Sequence, residues 1–249
     1  AEDIPRSILN WRGFPRPWIG LHGSCSQTSP TQGLRRIPRE VFEALTHHVT
    51  ATFISLEKAA PSDTPGSHAF EIDAGSEAFV DSAAIIANLD LVITNDTAIA
   101  HLSGALGAPT WVLLPYVCDW RWLSNRQDSP WYPSLRLFRQ AQPDDWQSVL
   151  EQVLLRFREP STLQQLTVAG LFQRAHCAEA WGSLESAQSL YQAAIAAAPA
   201  SASGYNNLGK VLKLRGHIKE AVEVFQKALA INPHHAPALS NNAMAYKDL

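Results

Sequence analysis

One spacing constrains this chain more than any other. Gly182 and Gly216 stand 34 residues apart, and the same interval separates Ala187 from Ala221, Tyr191 from Phe225, Ala194 from Ala228 and Pro199 from Pro233. A fixed interval of this length describes a supersecondary unit that buries its apolar face by stacking on copies of itself. The residue types suit that geometry. Small side chains let two antiparallel helices approach closely, and an aromatic fills the gap to the next pair. A glycine serves the turn, and a proline ends the second helix.

Small, aromatic, small, proline in that order resembles the tetratricopeptide repeat. The unit from Ala202 to His235 fits best. Tyr205, Leu208 and Gly209 fall on its first helix, Gly216 in the turn, Ala221, Phe225 and Ala228 on its second helix, and Pro233 at the exit. The unit before it is weaker, because Arg174 stands where a leucine is expected. A third begins at Ala236 and reaches Tyr246, with the sequence ending at Leu249. The resemblance implies an all-α solenoid over residues 161–249, about two and a half repeats long. It also implies a protein or peptide partner held in a concave groove. Asn206, Asn207, Asn241 and Asn242 suit such a groove, and equally an ordinary solvent-facing role. Solenoids normally end in a helix with a polar outer face. The expectation is therefore that another surface covers the last helix, or that the chain is a fragment.

Upstream the texture changes. The seam is Arg156–Ser161, where Pro160 stops a helix. Residues 1–16 read as a linker and residues 17–160 as a separate domain. Trp18–His22 (WIGLH), Thr52–Leu56 (TFISL), Leu89–Thr94 (LDLVIT) and Thr110–Leu114 (TWVLL) read as strands. Arg39–Thr46, Phe79–Asn88 and Thr97–Leu106 read as helices, the last ending at Gly107 as a left-handed stop. Strands alternating with helices predict a parallel, Rossmann-like α/β sheet.

Composition narrows the function classes. Hydrophobic residues make up 46% of the 249, enough for a real core, and charged residues only 17%. The net charge of −3 argues against a nonspecific nucleic-acid surface, which needs a basic face. Apolar runs break well short of the roughly 18 residues of a membrane span. The first residues have no basic head followed by an apolar run, so no signal peptide is expected. Cys25, Cys118 and Cys177 are odd in number and lack CxxC spacing, so neither a disulfide framework nor a zinc site is expected. The default setting is reducing and cytoplasmic.

The densest chemistry is the segment from Asn95 to Gly107, where an apolar strand runs through Asn-Asp-Thr into a helix. In parallel sheets ligands bind beyond the carboxyl ends of strands. A helix start offers unpaired N–H groups and a partial positive charge, which suits a diphosphate. Thr97 adds a hydroxyl. His101, four residues on, lies on the same helical face one turn deeper and is placed to donate to a phosphate oxygen. The plainer alternative is that Asp96 caps the helix and His101 packs in a core.

The stretch from Ile86 to Gln140 resembles the C-terminal, donor-binding half of GT-B glycosyltransferases related to the ADP-heptose heptosyltransferases (family 9), of the kind fused to tetratricopeptide repeats. The residues that carry it are DLVITNDTAIAHLSGALGAPTWVLLPYVCDWRW and SPWYPSLRLFRQ, with PWIGLHGSC, RRIP and FISLEK matching more loosely over Pro17–Glu57. In such transferases an Asp-Thr-Gly-x-x-His segment holds the diphosphate of a nucleotide sugar. Asp96, Thr97 and His101 match it, and Ala98 takes the place of the usual glycine. The resemblance further implies Gly23, Ser24 and Cys25 in the loop after the first strand. It implies Arg35, ahead of an x-x-Pro turn, as a phosphate contact, and Glu57, with Lys58 beside it, near the nucleoside. Ordinary alternatives are a solvated Arg35–Arg36 pair and surface charges at Glu57 and Lys58. The aromatics of Asp119–Trp122 and Trp131–Pro133 suit stacking on a base or sugar, or packing a long loop. Trp11 and Trp18 are expected to pack the entry segment.

No cofactor is implied beyond the nucleotide-sugar donor, and no DxD metal cluster is present. A GT-B enzyme takes its base from an N-terminal acceptor domain, for which residues 1–16 are too few. This chain alone is therefore expected to transfer no sugar. Three readings follow: a nucleotide-sugar-binding half of a glycosyltransferase with repeats for a partner or acceptor, a noncatalytic repeat scaffold with a degenerate transferase-like domain, and an epimerase-like or sugar-binding enzyme built on a similar sheet.

Overall fold

The computed structural model describes residues 13–24, 32–57, 68–69, 78–159 and 161–249. Trp11, Cys25, Lys58 and Pro160 lie outside the described residues. The chain divides into two compact units, Ala1–Gly170 and Leu171–Leu249.

The first unit is built on six parallel strands: β1 (Trp18–His22), β2 (Thr52–Ser55), β3 (His68–Ala69), β4 (Leu91–Thr94), β5 (Thr110–Leu114) and β6 (Leu135–Arg139). Their order is β3-β2-β1-β4-β5-β6. The helices are α1 (Gln32–Arg35), α2 (Arg39–His48), α3 (Ala78–Ile86), α4 (Ala98–Ala105) and α5 (Trp146–Arg158). This is the Rossmann-like, doubly wound arrangement that the alternating pattern predicts. Both faces of the sheet are buried, which is why its strands read as continuous apolar runs. The pleat divides them by parity. Ile19, Leu21, Leu91, Ile93, Trp111 and Leu113 enter one cluster with Phe42 of α2 and Val149 and Val153 of α5. Trp18 and Val92 join Ile85, Ile86 and Leu89 on the other face, and Val112 and Leu114 pack with Trp122 and Leu137.

The third apolar run begins its ladder at Leu91 instead of Leu89. The fully buried carboxylate of Asp90 accepts the backbone N–H of Trp18 (2.8 Å) and Nη1 of Arg16 (2.7 Å). A side chain thus takes a donor that a ladder carbonyl would otherwise take. The strand β6 escapes a pattern reading because Arg136 and Arg139 interrupt its apolar residues, as befits a sheet edge. Gly107 ends α4 at φ 70°: its N–H bonds to the carbonyl of Gly104, and that of Ala108 to Ser103. This is the left-handed stop the sequence predicts.

The helix α6 (Thr162–Ala180) runs across the division. The second unit continues with α7 (Leu184–Ala197), α8 (Ala202–Leu214), α9 (Ile218–Ile231) and α10 (Ala236–Lys247). The 34-residue interval maps onto burial. Ala187 and Ala221, Tyr191 and Phe225, and Ala194 and Ala228 are all fully buried. Gly182 and Gly216 stop their helices at φ 75° and 83°, a conformation side-chain-bearing residues rarely take. At Gly209 a Cβ would come within 2.6 Å of the Phe225 ring, so α8 and α9 approach as closely as the small-residue positions predict. Arg174, the departure from the pattern, is itself buried. Among the described residues no helix is long and apolar enough to cross a membrane.

Candidate functional site

In the sheet order the chain winds outward from β1 in one direction and from β4 in the other. The boundary between β1 and β4 is the switch point of the fold, the place at which parallel α/β sheets in general bind ligands. Of the residues singled out in the sequence, Gly23, Ser24, Arg35, Glu57, Asp96 and Thr97 gather there.

Gly23 and Ser24 follow β1. Both donate their backbone N–H groups to Oε1 of Glu57, at 2.7 and 2.9 Å. Glu57 follows β2, so its carboxylate ties together the ends of two neighbouring strands. It is an internal partner of the loop, not a surface charge. Gly23 is glycine because α2 comes close: a Cβ there would lie 2.4 Å from Cε2 of Phe42.

Thr97, not Asp96, is the N-cap of α4. Its hydroxyl does not cap the helix. It lies 3.4 Å from Nδ1 of His22 and 3.4 Å from Oγ1 of Thr94. The carboxylate of Asp96, almost fully buried, is instead 3.3 Å from Nη1 of Arg35. The Arg35–Arg36 pair is therefore split in role, with Arg35 turned inward as the half-buried partner of Asp96. Asn95 carries a function that its sequence position alone did not reveal. Its Nδ2 donates to the carbonyls of Gly23 (3.0 Å), Ser24 (3.2 Å) and Arg35 (2.9 Å), joining the β1 loop and α1 to the end of β4. His22 is the second such residue. It closes β1 with its ring against Thr94 and Thr97, and burial holds its pKa below the ordinary value, partly offset by Glu57 and Asn95. The available signal for both residues was their place at the carboxyl end of an apolar run.

Ala98, in place of the family's glycine, is exposed at the start of α4. His101, one turn on, is held by aromatics. Its Nδ1 lies 3.2 Å from the Tyr132 hydroxyl, and its ring stacks on Trp122 at 5.3 Å and 19°. The aromatic loop divides between the two roles considered for it. Trp122 is fully buried, whereas Trp120 and Trp131 are 73% and 56% exposed. The Trp131 indole N–H donates to the carbonyl of Arg121 (2.9 Å), which fixes its ring.

Tyr132 reaches His101 only because residue 104 has no side chain. A Cβ on Gly104 would lie 2.4 Å from Cγ of Tyr132. Replacing Gly104 by alanine is expected to displace Tyr132 and lower the unfolding free energy of this unit by about 1–3 kcal/mol, despite the better helix propensity of alanine. A urea titration checks it.

In the second unit Asn206, Asn207 and Asn241 are engaged with one another. Nδ2 of Asn241 donates to Oδ1 of Asn206 (3.0 Å), and Nδ2 of Asn206 to Oδ1 of Asn207 (3.2 Å). Asn206 is buried, so its amide knits α8 to α10 and is not simply solvent-facing.

The molecule thus joins a Rossmann-like α/β unit to a helical unit. The tetratricopeptide repeat pattern matches residues 202–235. Protein FlbA of Caulobacter vibrioides is 26% identical over 173 residues, which is 64% of this chain. The chain spans only 28% of that protein's length. The repeat supports a role in protein interaction. Neither likeness speaks to a nucleotide or a sugar.

Proposed function

We propose that residues 17–160 bind a nucleoside diphosphate, or its sugar ester, as the donor half of a GT-B-like glycosyltransferase, while the repeats hold a protein or peptide partner. The supporting observation is the open first turn of α4 at the switch point. The N-cap hydroxyl of Thr97 is drawn aside onto His22 and Thr94, which leaves the first-turn N–H groups without a side-chain cap. Such a turn, with its partial positive charge, favours a diphosphate. Arg35 and the Nε2 of His101 supply further donors from α1 and from the next turn of α4. Ser24, after β1, and Ala98, after β4, are exposed at the same carboxyl edge.

Calorimetry of the full chain with ADP, UDP and GDP and their glucose esters tests the reading. Binding to at least one is expected, weakened about tenfold or more in Thr97→Ala through loss of a hydroxyl donor to a charged group. If no nucleotide binds the folded protein, the donor-site reading fails.

A second reading, a noncatalytic repeat adaptor, draws support from the way the edge satisfies itself. Glu57 takes the Gly23 and Ser24 amides and Asp96 pairs with Arg35, so these groups find partners within the protein. Absence of nucleotide binding, with a partner retained by the repeats, would favour it.

A further inference from the structure

We propose that His22 is a positioning residue of this same site, which sets the Thr97 hydroxyl and takes up a proton when a diphosphate docks on α4. The proposal rests on the donor-site reading above. The ring closes β1, the central strand beside the switch point, and its Nδ1 stands 3.5 Å from Oγ1 of Thr94 and 3.4 Å from Oγ1 of Thr97. It therefore governs the hydroxyl that would otherwise cap α4.

Among the described residues the charged groups near it are Glu57, Asp96 and Arg35. Glu57, beyond β2, is turned onto the Gly23 and Ser24 amides, and Asp96 is paired with Arg35 from α1. In the free protein, burial favours the neutral imidazole. A docked diphosphate brings negative charge to the first turn of α4, beside Thr97, and an opposite charge at short range favours the protonated ring. The His22 pKa is then higher in the complex than in the free protein. The sign follows: between the two values the complex holds one proton more, so affinity rises as pH falls.

The experiment uses the full chain and nucleoside diphosphate glucose esters. Their phosphates stay ionised through the range, unlike the terminal phosphate of a free nucleotide, which titrates near about 6. Calorimetry between pH 5.5 and 8, in paired buffers of different ionisation enthalpy, reads affinity and proton uptake together. Up to one proton taken up and up to about tenfold tighter binding per pH unit are expected. Both should vanish in His22→Gln, which keeps a polar side chain and cannot charge. An imidazole titration by NMR in the free and bound wild type, with a rise on binding expected, carries the test should that variant fail to fold. Binding without proton uptake, or with the uptake retained in His22→Gln, overturns the role of His22 and leaves the donor site standing. Binding at no pH removes the site itself, and this role with it.

Discussion

Phe225→Ala is expected to cost the repeat unit about 3–5 kcal/mol, the usual penalty for truncating a fully buried aromatic. The ring is completely enclosed and lies against the backbone of α8 at Gly209, so the helix pair has no slack with which to close the cavity. Stacked repeats draw stability from nearest neighbours, and α9 contacts both α8 and α10. The loss should therefore be felt along the whole unit. Urea unfolding followed by circular dichroism reads it. A cost below about 1 kcal/mol would mean that the 34-residue register does not define the core. Tyr191→Ala, at the equivalent place one interval earlier, should behave similarly, with the added loss of its hydroxyl bond to Glu179.

The second large effect is expected at Trp122. Its ring is fully buried beneath His101, and truncation to alanine should cost about 3–5 kcal/mol in the α/β unit. Trp122→Phe is the informative partner. Among the described residues the Trp122 indole N–H has no hydrogen-bond partner, and a buried donor left unsatisfied carries a penalty of its own. The phenylalanine variant should therefore lose markedly less than the alanine variant. If the two were equal, the ring would not be acting through packing. Nucleotide titrations of Trp122→Phe, should the donor-site proposal hold, report whether a smaller surface still orients His101.

What the sequence disclosed and what it withheld differ in physical kind. The repeat was legible because its signal is local and periodic: Ala187, Ala221, Tyr191 and Phe225 recur at one interval and are all enclosed. The central strands were legible because both faces are covered and their runs are unbroken. The site was legible only as a place. The junction at Asn95–Thr97 stood out, but its pairings join segments distant in sequence and leave no periodic trace. Nothing local tells that Glu57 reaches back to Gly23, that Asp96 chooses Arg35, or that Asn95 bridges three carbonyls. Trp120 and Trp122 illustrate the same limit at closer range. Two residues apart on one turn, one is exposed and the other enclosed, a difference made by the packing of β5 and β6 and absent from the motif itself.

Glu57 sets a condition on whatever anion approaches this edge. Two convergent amides after a strand form a ready cradle for negative charge, yet here the cradle is filled from within by a tethered carboxylate. A visiting phosphate can use those amides only by evicting a group of its own sign, which remains attached nearby. Under the donor-site proposal, an anion would therefore be steered away from Gly23 and Ser24 and toward the mouth of α4. Gly23 and Ser24 are thus already held by a protein group before any ligand arrives.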